Sequence, residues 1–304
     1  MIVRTAFPDL NLTTMLPAID EVIFDEYTRI PERYSQVFNV KTSTRSIEQT
    51  TGVSGLGMFV ETAEAEDVNY DDPRQRYDKT YTHLQYSSGY KVSRIAADDD
   101  RYGYIKSLSS ALGRSARESV EVVAANIFNN GFADTGPDNQ FLFDSDHPRA
   151  KAGGTQSNTS TAADLSHSVI ESALAQFRDY TDDAGLLIRC TPTMLVVPNE
   201  LEFTASVLLN TALKPGTANN DTNSLKHRID YPTLKPMVWE NLTDPDAWFI
   251  LAEKSQHQLR FYWREKFNVT HDTEFTNRNL LTAGWMRFSV GYSDWIGTFG
   301  NPGA

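Results

Sequence analysis

The chain of 304 residues has one cysteine, no long apolar run and no basic cluster. A lone Cys190 cannot form an internal disulfide, which excludes a cystine scaffold and a multi-thiolate zinc site and fits a reducing compartment. The glycosylation sequons at Asn158 and Asn268 are therefore read as accidental. No stretch approaches the roughly 18 apolar residues of a membrane span, so no membrane partner is expected. The start, "MIVRTAFPDLNLTTMLP", lacks the basic-then-apolar order of a signal peptide, so the protein is expected to stay in the cytosol where it is made. With 40 acidic against 28 basic residues the net charge is −12, which excludes tight neutralisation of a phosphate backbone. Such a surface suits a protein unrelated to nucleic acid, or a container wall to which packed DNA does not stick.

Signs of chemistry are equally sparse. There is no G-x-S-x-G elbow, no H-E-x-x-H, no calcium-binding loop, and the six histidines at 83, 147, 167, 227, 257 and 271 lack metal spacing. Asp144, Asp146 and His147 in "FDSDHP" could supply oxygen and imidazole ligands, but Asp and His before proline commonly build turns. The glycines of "TGVSGLG" at 51–57 lack the Lys-Ser/Thr ending of a phosphate loop and have no helix signal immediately after them. Asp98, Asp99 and Asp100 are better explained as helix caps than as cation ligands. Cys190, between Arg189 and Thr191-Pro192, reads as a packed small residue. No catalytic, cofactor-binding or metal residue is predicted, and no cofactor.

What the chain does have is apolar pattern: 40% hydrophobic residues with 16 Phe, 13 Tyr and 5 Trp, enough for more than one core. Ile105, Leu108, Leu112, Ala116, Val120, Val123 and Ile127 recur at steps of three and four, predicting a long helix from about 101 to 129. Gly131 after Asn129-Asn130 marks its stop in a left-handed turn. Leu16, Ile19, Ile23 and Tyr27 place a shorter helix in an N-terminal arm. Between them lies a loop-rich section with Gly52, Gly55 and Gly57, an acidic stretch, and alternation in "KTYTHLQYSSGYKVSR" that suits the two strands of a long hairpin. This section has too little apolar content for a core of its own.

Beyond the long helix, "FADTGPDNQFLFDSDHPRAKAGGTQSNTSTAAD" reads as an extended surface connection. A second amphipathic helix follows, with Ser168 and Glu171 at capping-box spacing. Then come a buried strand at Met194–Val197 and a helix capped by Asn199, with Leu201, Ala205 and Leu208 inward. Residues 211–247 are polar and turn-rich. Strands are expected in "WFILAE", "HQLRFYWRE" and "WMRFSVGYSDWIG", the last burying Met286, Phe288, Val290 and Tyr292 on one face. The fold class is α+β.

The order of these features resembles the major capsid proteins of tailed bacteriophages with the HK97 fold, and among them the Mu-like major head subunits. The likeness lies in "YSSGYKVSRIAADDDRYGYIKSLSSALGRSAR", "FLFDSDHP", "LLIRCTPTMLVVPNELEFTASVLL", "DPDAWFILAE" and the closing stretch from Gln256 to Gly300, in the family's order and from about residue 80 onward. The resemblance implies an N-terminal arm (1–45), an extended hairpin loop (46–92), a peripheral domain with a long spine helix (93–165), an axial domain (166–262) and strands returning to the peripheral domain (263–304). It implies a non-enzymatic subunit that self-assembles as hexamers and pentamers into an icosahedral shell around double-stranded DNA, without sequence-specific binding. Localisation would be the virion, assembled in the host cytoplasm, with a portal and decoration protein as partners. Fewer than 50 residues precede the hairpin, so a separate scaffolding protein is expected. Some relatives cross-link a hairpin lysine to a neighbour's asparagine; Lys79 lies in that region, and cross-linking stays open. The alternatives are an encapsulin-like nanocompartment shell and a metal-dependent hydrolase using Asp144, Asp146 and His147.

Overall fold

The structure, a computed structural model, describes residues 12–93, 95, 102–149, 151–215, 221–229, 232–277 and 279–304. Helix α1 (Leu12–Arg29) turns Ile19 and Ile23 into the core, as their spacing predicts, with Leu16 and Tyr27 packed at its edge. A single turn, α2 (Tyr34–Val37), leads into strand β1 (Asn39–Thr42). Strands β2 (Ile47–Val53) and β3 (Gln75–Thr82) pair antiparallel as a two-stranded ribbon joined by loop 54–74. Strand β4 (Leu84–Val92) precedes α3 (Tyr102–Asn129), the expected long helix, whose 28 residues span roughly 42 Å at 1.5 Å per residue.

The remaining elements are β5 (His147–Pro148), β6 (Thr155–Gln156), α4 (His167–Asp179), β7 (Pro192–Val197), α5 (Glu202–Asn210), β8 (Lys235–Val238), β9 (Trp248–Ala252), β10 (Leu259–Thr273), β11 (Leu280–Tyr292) and β12 (Thr298–Asn301). One sheet has the order β1–β10–β11–β4, with β1 parallel to β10 and the other pairs antiparallel. A second has the order β12–β9–β7–β8, with only β7 and β8 parallel. Helix α3 runs between α1 and the first sheet, against β11 and β4, and α5 packs on β8. At Gly113 a Cβ would stand 2.2 Å from the Ile23 carbonyl oxygen, so only glycine lets α1 cross α3 this closely. Phe128, near the end of α3, touches Phe38, Phe143, Trp239 and Phe249, and so ties the arm and both sheets into one core.

Several expectations are corrected. The alternation in 79–94 does mark two strands, but they are not partners: β3 pairs with β2, and β4 with β11. The chain changes sheets at His83, whose ring nitrogens lie 3.1 Å from Ser43 Oγ and 3.0 Å from Ser289 Oγ. Alternation reports that a strand has two faces and is silent about its neighbour. Within α3, Val123 and Ile127 are only partly buried; the fully covered positions include Val120, Ala124 and Phe128, together with Arg117 and Glu121. The helix is covered on two sides, so its buried arc is wider than an apolar stripe. Gly131 does not adopt a left-handed conformation. Its N–H closes on Phe128 O at 2.9 Å, and a Cβ there would press on the Phe143 ring at 2.7 Å. The Asp98–Asp100 caps lie outside the described residues.

Neither predicted cap of the later helices forms. Ser168 sits inside α4, whose N-cap position is Ser166, and Glu171 accepts from Ser224 Oγ at 2.5 Å instead. Asn199 opens a short 3₁₀ turn, and α5 begins only at Glu202. The expected surface connection is partly interior, with Leu142, Phe143, His147 and Asn158 buried. Of the closing strands, β10 and β11 join the sheet against α3, whereas β12 pairs with β9 in the second sheet. All four β12 residues are buried, so no alternation announces it.

Candidate assembly surfaces

Among the described residues, the β2–β3 ribbon and its loop carry the longest run of exposed large apolar side chains, from Ile47 to Tyr70. Residues of β2 alternate between exposed and half-covered, so none of the described residues forms a second layer over it. In loop 54–74, Phe59 is 99%, Tyr70 87% and Met58 78% exposed, alongside Leu56, Val60 and Val68. Glu61, Glu64, Glu66, Asp67, Asp71 and Asp72 surround them, with no basic residue between 54 and 73. Several exposed apolar side chains gathered in one acidic loop make it the candidate interaction surface.

The stem of this ribbon is anchored by charge. Arg76 on β3 forms an ion pair with the buried Asp183 and a second, at 2.5 Å, with Asp294. Burial lowers the guanidinium pKa, but Asp294 and Asp183 outweigh it and the net shift is upward. Burial pushes the Asp294 carboxyl up, with Arg76 opposing. Farther out, Asp71 pairs with Lys151 and accepts from Gly57 N at 2.6 Å; the lysine contact, then the amide, hold its carboxyl below the usual range. The Tyr81 and Ser293 hydroxyls lie 2.6 Å apart, and Arg260 donates to Thr50 Oγ1 at 3.1 Å.

The arm is fastened to α3 by a second buried charge group. Glu121 accepts from Arg33 N at 2.9 Å and Tyr34 N at 3.1 Å, holding the start of α2. One turn earlier, Arg117 donates from Nε to Tyr27 O at 3.0 Å, pairs with Glu32 at 3.0 Å and lies over the Tyr27 ring at 3.9 Å. Burial pushes Glu121 up to about 7 against the pull of the two backbone donors and Arg117.

The residues considered for chemistry are dispersed or already engaged. His147 is buried, with Nδ1 2.6 Å from Asp138 Oδ2, Nε2 3.0 Å from Asn158 Oδ1 and its ring stacked on Trp295 at 4.4 Å. Asp144 spends its carboxylate on the amides of Phe141, Ser145 and Asp146, and Asp146 is exposed. Among the described residues, no group of three His, Cys, Asp or Glu is placed to hold a metal ion. Gly52 lies within β2, and Gly55 and Gly57 in the loop, with no helix behind them. Cys190 is buried, which pushes its thiol up to about 11. Lys79 lies over the Tyr292 ring at 5.6 Å, its ammonium pKa lowered by burial. No helix among the described residues is long and apolar enough to cross a membrane.

Sequence reasoning missed Arg76, Arg117, Glu121 and Asn158, because nothing local distinguishes a buried charge or amide from a solvated one. The apolar loop run was available: Leu56, Met58, Phe59 and Val60 stand together in a glycine-rich, acidic context.

A long helix flanked by an arm helix and a sheet, a second sheet with its own helices, and a ribbon without a core define an HK97-like capsid fold. Residues 76–301 match the phage capsid protein family, and the chain belongs to that family. Over 149 residues it is 26% identical to the Mu-like prophage FluMu major head subunit of Haemophilus influenzae, covering 48% of this chain and 47% of that protein. The chain thus matches about half the length of this curated relative. Among solved structures, the capsid of bacteriophage JBD30 decorated with minor capsid protein trimers has a TM-score of 0.57 at 16% identity, covering 70% of this chain and 92% of that one. The capsid of Ralstonia phage GP4 gives 0.54 at 12%, covering 87% of each chain. A virus-like particle from Pyrococcus furiosus gives 0.53 at 10%, covering 94% and 98%.

Proposed function

We propose that this chain is a major head subunit whose copies, as hexamers and pentamers, build a closed icosahedral shell around phage DNA. The observation that carries the reading is the exposed apolar run at 56–60, in a loop that the subunit's own core does not reach. In this reading residues 1–45 are the arm, 46–92 the extended-loop segment, of which the part before β4 is laid on a neighbour while β4 returns to the subunit's own sheet, 93–165 the peripheral domain and 166–262 the axial domain. Residues 263–304 return to the peripheral domain, apart from β12. An acidic surface without a basic cluster suits a wall that holds double-stranded DNA without binding its sequence. Scaffolding protein, portal and decoration protein are the expected partners, and the virion, assembled in the host cytoplasm, the expected location. The family match favours a phage shell over an encapsulin-like compartment, and the engaged His147 speaks against the hydrolase. The test is electron microscopy of the protein co-expressed with its scaffold. Closed shells with both capsomer types are expected; a population of monomers and dimers alone would refute the proposal.

A further inference from the structure

A two-stranded ribbon is marginal on its own in water, so its direction must be set by something outside it. Arg76 brings together three distant parts of the chain: the ribbon, the turn after α4 through Asp183, and the turn after β11 through Asp294. Asp183 and Asp294 are both largely covered, so losing the guanidinium would leave two carboxylates without their partner. Two further contacts lie close by. Lys151 meets Asp71, and Gly55 approaches so near the 181–187 turn that a Cβ would stand 2.7 Å from Asp182 Oδ2. All of these fall at 55–57 and 71–76. The apolar side chains from Met58 to Tyr70 lie beyond them and stay exposed while every contact is made. The anchors therefore do not hide the tip; they fix where it points.

We infer that Arg76 is the positioning residue of the hairpin, tying its stem to Asp183 and Asp294 so that the exposed tip is aimed before a second copy of the chain arrives. The inference rests on the shell reading above. Ordering a long loop is part of the cost of association, and a stem ordered within the subunit removes that cost from the contact between subunits. Hairpin and second-sheet lobe then approach a neighbour as one body.

The test restores the position without the charge. Arg76→Ala is expected to raise the protein concentration needed for shells by about tenfold or more, with unchanged circular dichroism. Adding Gly55→Cys and Asp182→Cys, oxidised to a disulfide, should return that concentration to the wild-type value, and reduction should remove the rescue. Cys190 is buried and stays out of this chemistry. Arg76→Ala assembling like wild type, an oxidised pair that fails to rescue, or a natively folded subunit in which the disulfide does not form would each overturn the inference. Should Arg76→Ala not fold, the cysteine pair in the otherwise unchanged chain decides: its oxidised form should assemble at or below the wild-type concentration, and blocked assembly overturns the inference. Failure of the wild-type chain to form shells would count against the shell reading, while disulfide formation in the unassembled subunit still reads the stem's position.

Discussion

Two connections in this chain look alike on paper and behave in opposite ways. Loop 54–74 and segment 132–165 are both rich in glycine, acids and small polar residues, and neither has a helical or strand period. The second turns inward. Asn158 Oδ1 accepts from Asp144 N at 2.9 Å and faces His147 Nε2 at 3.0 Å, while its Nδ2 donates to Leu142 O at 2.8 Å. With the Asn158 amide satisfied inside the chain, its burial carries little penalty, and Leu142 and Phe143 follow into the core. The first has sparse internal bonds and leaves its apolar side chains in solvent. One connection is complete within a single chain; the other, under the proposed function, would be completed by a neighbouring copy.

The widest separation between the two is expected from removing each. Replacing 54–74 by a short Gly-Ser linker should leave secondary structure intact, because β2 and β3 remain and no buried side chain other than Ser54 is lost. Shell formation should disappear altogether. Phe59→Ser is the gentler version, with folding stability changed by less than about 0.5 kcal/mol and assembly impaired. Normal shells from the linker variant would show that the loop is not a contact between subunits.

His147→Ala attacks the complete connection. It leaves Asp138 buried without its partner, removes the group facing Asn158 Oδ1 and unstacks Trp295. The expected loss is about 3 kcal/mol, read as a lowered denaturant midpoint at unchanged slope. A wild-type midpoint would mean that the interior of 132–165 is not held by this network.

The contrast explains what was legible. The long helix, the arm helix and the strands within 259–273 and 280–292 announce themselves because their apolar residues repeat with a period, whereas those at 192–197 and 248–252 show as short continuous apolar runs. Partners are another matter. β3 and β4 form a continuous alternating run, yet a single residue, His83, carries the chain from one sheet to the other. β12 has no alternation because both of its faces are covered. Arg76 and Glu121 acquire their roles from residues more than 80 positions away, a relation that no local pattern encodes. The exposed run at 56–60 is visible in the sequence, but its meaning depends on knowing that none of the described residues folds over it.

Glu121 tests the same idea on α3, where a charged group is buried with only part of its interactions provided. Its carboxyl is raised from 4.5 to about 7, so between these values the folded protein holds a proton that the unfolded chain has released. The stability this contributes is fully present below 4.5 and is lost as pH rises through 7. Wild-type protein should thus lose about 3 kcal/mol between pH 4.5 and 8 from this group, a dependence that Glu121→Gln should flatten. Urea titrations of both proteins across that range would check it. Parallel pH profiles would mean that Glu121 is ionised throughout, with Arg33 N, Tyr34 N and Arg117 compensating its burial in full.

The smallest effect is predicted one residue from one of the larger ones. Asp146 precedes His147 in the same turn, but its side chain is exposed, and its carboxylate takes part only in a 3.3 Å contact from Ser145 Oγ. Asp146→Ala should change stability by no more than about 0.5 kcal/mol, against the several-fold larger loss expected for His147→Ala. The pair therefore asks whether this turn owes its fold to the buried network or to its acidic composition. A large loss at Asp146 would favour composition, and would also reopen the turn as a ligand site; metal analysis of the native protein and of the Asp146→Ala variant would then decide, because a bound ion should be stoichiometric in the first and depleted in the second. A negligible loss beside a large one at His147 would leave the network as the cause, with adjacent residues of one polar segment divided by whether the rest of the chain supplies them a partner.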